Sequence, residues 1–182
     1  MRLLTNAESA SWCERRTVPV TIDQRRFFPE SIRCITIELP EKPYQLVALA
    51  NSLLPYTDDA SPLGALIWIR LWGIWSKSVE NAGLRVLEVM RSLHGDNRPL
   101  IEAPGYLFSA DEEIDLLICF IQPLLIGWDA FLIPDTGNYI VETSHDETIR
   151  VFARTEQIHE QMVAQLKPWG PQEEKNSRVG QR

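Results

Sequence analysis

Ser144-His145-Asp146 is the nearest approach in this sequence to a catalytic cluster. Histidine titrates near neutral pH, and a carboxylate beside it can orient its ring. Contiguity counts against a serine–histidine–aspartate triad, because adjacent side chains on a strand point to opposite faces. A tight turn also uses Asp to hydrogen-bond local backbone, which gives the same residues a structural role. Glu102, Asp129, Glu142 and Asp146 are the carboxylates that could form a general acid–base pair, but no spacing brings two of them together. Asp111, Glu112, Glu113 and Asp115 open a helix, where the dipole and solvation account for them. His159 stands among polar residues and reads as solvated. Cys13, Cys34 and Cys119 are widely spaced with no CxxC, so they read as reduced core residues rather than zinc ligands. The chain carries no GxGxxG, P-loop or GxSxG motif. The sequence thus assigns no catalytic residue, metal or cofactor, and the answer to whether it is an enzyme leans toward no.

A second stretch with chemical content is LIWIRLWGIWS, residues 66–76, which holds three of the six tryptophans around Arg70. Trp68, Trp72 and Trp75 fit a helical stripe, an exposed recognition surface or an oligomer interface. A buried strand is favoured, because apolar residues fill both alternating faces and Ile and Trp are good strand formers. Arg70 then needs a stacking or ionic partner. The expected binding positions are Arg70, Trp72, Glu102, Trp128, Asp129, Glu142, His145, Asp146 and Glu147.

The elements that must position these residues follow from periodicity. NAESASWCERR reads as a short helix opened by Asn6, and IRCITIEL (32–39) as a strand ended by Pro40. Leu46, Val47, Ala50, Leu53 and Leu54 define a helix with Pro43 in its first turn. Val79, Ala82, Gly83, Val86, Leu87, Met90 and Leu93 define another that Gly95 stops, with Arg91 and His94 near its negative end. Residues 96–108 read as loop with short extended pieces. SADE (109–112) has the form of a capping box, and Ile114, Leu117, Ile118, Ile121, Leu124 and Leu125 then share one face, with Pro123 expected to kink or end the helix unless its last turn is irregular, and Gly127 to close it. AFLI, YIVETS and TIRVF form a β-meander, its last turn around His145-Asp146-Glu147, and Thr155 caps a final helix with Ile158, Met162 and Leu166 inward. The expected fold is α+β, with mixed α/β possible: a central, mainly antiparallel sheet with a C-terminal meander, covered by helices. One domain over residues 1–168 is expected, with a disordered polar tail over 169–182.

The 182 residues are 45% hydrophobic and 24% charged, as in a globular protein with a sizeable core. The longest nearly apolar run is too short to span a membrane and the N-terminus has no signal-peptide core, so a cytoplasmic protein is expected. Charge is uneven. Residues 1–94 carry 11 basic and 10 acidic side chains, residues 95–165 carry 3 and 13, and the whole chain is at −7. An acidic C-terminal half repels nucleic acid and attracts a basic protein partner.

The strings WIRLWGIWS, NAGLRVLEVMR, GDNRPLIEAPGYLF, GWDAFLIPDTGNY and SHDETIRV, within residues 60–168, resemble a small family of uncharacterised bacterial cytosolic proteins. In size, charge and architecture the chain is similar to acidic immunity proteins, which neutralise toxins by surface complementarity. The resemblance implies a non-enzymatic interaction protein and brings no catalytic residue with it. The competing expectation is a small enzyme or ligand-binding domain with a pocket near His145, Asp129 and Trp128.

Overall fold

The structure is a computed structural model that describes residues 1–20, 34–56, 62–72 and 82–174. Expectations for Ile32, Arg33, Gly73, Trp75, Val79 and the tail beyond Glu174 lie outside the described residues. The strands are β1 (Arg2–Leu4), β2 (Cys34–Glu38), β3 (Ala65–Leu71), β4 (Gly105–Phe108), β5 (Asp129–Pro134), β6 (Tyr139–Ser144), β7 (Thr148–Ala153) and β8 (Gln172–Glu174). The helices are α1 (Asn6–Arg15), α2 (Pro43–Leu53), α3 (Ala82–Leu93), α4 (Glu113–Ile126) and α5 (Glu156–Leu166). All eight strands join one sheet in the order β1-β4-β3-β5-β6-β7-β2-β8. Each pairing is antiparallel. The fold is α+β, with β5-β6-β7 as the meander.

Both faces of the sheet are buried. On one face Ile35, Ile37, Ile67, Ile69, Leu132, Val141 and Val151 join the inner faces of α2, α3, α4 and α5 in the main core. On the other, Leu66, Trp68, Phe131, Ile133 and Ile140 pack against Trp12 and Cys13 of α1. This two-sided burial is why β3 reads as a continuous apolar run. Both edges of β3 are paired, by β4 and β5. Trp68 is fully buried and its indole N–H donates to Asn6 Oδ1 at 2.8 Å. So β3 is a central strand with both edges paired.

Several local expectations are corrected. Thr5, not Asn6, caps α1: its hydroxyl accepts from the Glu8 N–H, and the Glu8 carboxylate accepts from the Thr5 N–H. The short extended pieces expected within 96–108 include β4, as expected. Its Gly105 lets Leu4 and Ser9 approach so closely that a Cβ would strike the Ser9 hydroxyl. Residues 172–174, inside the stretch expected to be a tail, pair with β2 as β8. The helix α4 runs through Pro123 to a left-handed Gly127, and the Pro123 carbonyl accepts from both the Gly127 and Trp128 N–H groups.

The largest correction is the face that α4 buries. Its inward residues are Leu116, Cys119, Phe120, Pro123 and Leu124. Ile114, Ile118 and Leu125, expected inward, are 74%, 39% and 47% exposed. The helix is apolar around most of its circumference, so periodicity could not choose a side. Likewise Val47 and Leu93 point outward, whereas His159 is buried with Met162 and Leu166, its neighbours three and seven residues on. No helix among the described residues is long and apolar enough to cross a membrane.

Candidate functional site

The β6–β7 turn brings three of the expected residues together. Glu147 adopts φ 59°, which closes the turn. Asp129, at the start of the neighbouring β5, accepts the His145 backbone N–H at 2.8 Å and meets His145 Nδ1 with the same Oδ1 at 2.8 Å. An ionised carboxylate only accepts, so the ring carries its proton on Nδ1. The hydrogen bond to Asp129, with the charges of Asp129 and Asp146, raises the His145 pKa above its ordinary value. Asp146 Oδ1 stands 3.6 Å from Nε2, too far for a hydrogen bond. The Ser144 hydroxyl accepts the Asp146 N–H at 3.2 Å. The arrangement is therefore an oriented, half-exposed imidazole whose recorded ring partners among the described residues are the carboxylates of Asp129 and Asp146.

Trp128 and Trp72 support this corner from inside. Trp128 is fully buried in the main core, and Trp72 meets it edge-on at 5.2 Å. Thr143 fixes the start of β5, donating to the Trp128 carbonyl at 2.8 Å and accepting from the Ala130 N–H at 3.0 Å. Trp128 contributes packing and exposes nothing to a ligand. None of the described cavities is lined by His145, Asp129 or Trp128.

The remaining expected residues are scattered. Arg70 stacks its guanidinium 4.3 Å from the Trp68 ring centroid and 5.9 Å from that of Phe131. Its place in the sequence, alternating with Trp68 on a strand, signals this cation–π stack. Glu142 is buried and lies directly across the ladder from Arg150, with 3.1 Å between Oε2 and Nη2. It serves a cross-strand ion pair and is not an exposed acid. Glu102 is exposed on a short 3-10 turn, Leu100–Glu102. Cys13, Cys34 and Cys119 form no disulfide and are buried, and burial pushes the Cys13 pKa up to about 12, which disfavours its thiolate.

Sequence reasoning passed over the outer face of α4. Ile114, Ile118 and Leu125, with half-buried Ile121 between them, form one stripe along a helix about 21 Å long. Asp111, Glu112, Glu113 and Asp115 sit at its N-terminal end. Its C-terminal Gly127 lies against His145, so Asp129, Asp146 and Glu147 stand at the other end. Seven of the 13 acids of residues 95–165 thus stand at the two ends of the helix that carries the apolar stripe. Flanking helices add exposed Tyr44 and Val47 from α2, and Val89 and Leu93 from α3.

No protein-family model, no curated protein and no solved structure matches this chain.

Proposed function

We propose that this chain is a non-enzymatic interaction protein, immunity-like in size and charge, that binds a basic protein partner in the cytoplasm along the outer face of α4. The observation that carries the reading is the exposed Ile114–Ile118–Leu125 stripe with carboxylates at both ends. An apolar seam supplies affinity by excluding water. Acids at its ends supply charge complementarity, which steers a basic partner and fixes its register. Three buried cysteines that form no disulfide support a reducing compartment. The competing reading, a small enzyme or ligand site near His145, Asp129 and Trp128, has less support. Trp128 is sealed in the core, and the His145–Asp129 pair stands at a hairpin end without a cavity among those described.

The test is affinity capture from the source cells with the wild-type chain and with Ile118→Glu, each shown to be folded by circular dichroism. The expected result is one basic protein, retained by the wild type at low salt, released at high salt and not captured by the variant. Neutralising Asp111 and Asp115, or Asp146 and Glu147, then tells which end of the stripe it contacts. Capture that survives Ile118→Glu and both charge variants, or no specific capture by the wild type, overturns the proposal.

A further inference from the structure

The outward stripe of α4 has a spacing of its own. Ile114, Ile118, Ile121 and Leu125 follow one another at intervals of four, three and four residues. That alternation is the d-a-d-a pattern of a heptad, which keeps one straight apolar seam facing a partner helix. The neighbouring positions fit the same frame. Leu117 and Leu124, at g, pack back against the main core. Asp115 and Gln122, at e, supply the polar border. Ile114, Ile118 and Leu125 are 74%, 39% and 47% exposed, so the seam faces outward along its length. It spans about 16 Å, or about three helical turns.

The charges at its ends decide what can lie on it. Glu112 is already paired with the Met1 amine, and Asp129 with His145. Asp111 and Asp115 remain at the N-terminal end of α4, and Asp146 and Glu147 at the C-terminal end. No lysine or arginine pairs with any of these four among the described residues. A second copy of this chain is therefore a poor occupant. An antiparallel pair of α4 helices would set Asp111 and Asp115 against Asp146 and Glu147. A parallel pair would set each group against itself. Like charges meet in both, which disfavours the pairing. A helix with lysine or arginine at both ends meets opposite charge at each.

We infer that α4 presents a heptad seam whose occupant is one amphipathic helix of a protein partner, about four turns long, with apolar residues at a and d and basic residues at both ends. The inference rests on the reading of this face as a protein-binding surface and adds the form of the partner. Apolar knobs of the partner enter the holes along Ile114, Ile118, Ile121 and Leu125 and exclude water from the seam. Its terminal cations lie opposite Asp111 and Asp115 at one end and Asp146 and Glu147 at the other, which fixes the register.

The test is fluorescence anisotropy of labelled synthetic peptides, each about four to five turns long if helical, titrated with the full chain. The first peptide has leucine at a and d and lysine on its first and last turns. The second has the same composition with the leucine spacing scrambled, and the third has glutamate in place of lysine. The first is expected to bind saturably, to gain helix by circular dichroism, and to bind at least about tenfold more tightly than either of the others. Ile114→Glu and Ile118→Glu, each shown to be folded, should weaken it at least about tenfold. No saturable binding of the first peptide, equal binding of the scrambled one, or binding without a gain of helix overturns the inference. So does a wild-type dimer in light scattering that Ile118→Glu dissociates, because a second copy is then the occupant. A basic protein captured through Ile118 while the heptad peptide fails to bind sinks the helical occupant and leaves the interaction reading standing. Heptad-peptide binding with no protein captured from the cells does the reverse.

Discussion

At the scale of single residues, the two positions singled out for chemistry turn out to be held by their neighbours in different ways. His145 is oriented by Asp129, whose carboxylate takes both its backbone and ring N–H groups. That bond favours the imidazolium, so the His145 titration midpoint is expected above 6.5, the value it has without the interaction. Asp129→Asn should bring it back toward 6.5, and a midpoint unchanged by that substitution would contradict the assignment. Arg70 is held by stacking on Trp68, and Trp68 in turn by Asn6. Trp68→Ala should cost about 3–5 kcal/mol in denaturant unfolding, and Asn6→Ala about 1 kcal/mol, since it strips a partner from a buried indole N–H.

At the scale of elements, α4 carries the clearest lesson. Two apolar stripes run along it, and the sheet accepts the one containing Phe120 and Leu124. Phe120→Ala should therefore destabilise the protein by about 3–5 kcal/mol, whereas Ile114→Glu or Ile118→Glu should change stability by no more than about 0.5 kcal/mol. The reverse ranking in urea unfolding would put the helix the other way round. Glu113 also anchors the start of α4, accepting the Tyr56 hydroxyl at 2.5 Å. Burial, then Glu113, push the Tyr56 pKa up to about 12. The approach to β3 is just as constrained: a Cβ on Gly64 would lie 2.6 Å from the Phe108 carbonyl oxygen. That neighbour is backbone and cannot move cheaply, so Gly64→Ala should cost about 1–3 kcal/mol, measured as a lowered thermal midpoint.

At the scale of the whole molecule, stability depends on pH with opposite signs at two sites. The Arg98 guanidinium holds the Asp96 carboxyl well below its usual 3.8, so that contribution is present above 3.8 and lost as pH falls toward the folded-state value. His145 has a raised pKa, so its contribution is full below 6.5 and lost as pH rises through the folded-state value. The two overlap fully between 3.8 and 6.5, and the thermal midpoint should decline on both sides of that window. Asp129→Asn should flatten the neutral-side decline alone. By itself the sequence determined the α+β class, the meander, the start of α2 at Pro43 and the Ser109–Glu112 capping box, because these rest on neighbours within a few residues. It also favoured a β3 buried on both faces, since apolar residues fill both alternating sides apart from Arg70. Tertiary structure alone decided what depends on distant partners. It set which stripe of α4 is inward, that Glu142 meets Arg150 across a ladder, that Arg91 and His159 are buried, and that seven of the 13 acids of one half stand at the two ends of α4. An apolar helix records that it will be buried but not against what, and a charge records its sign but not its neighbour.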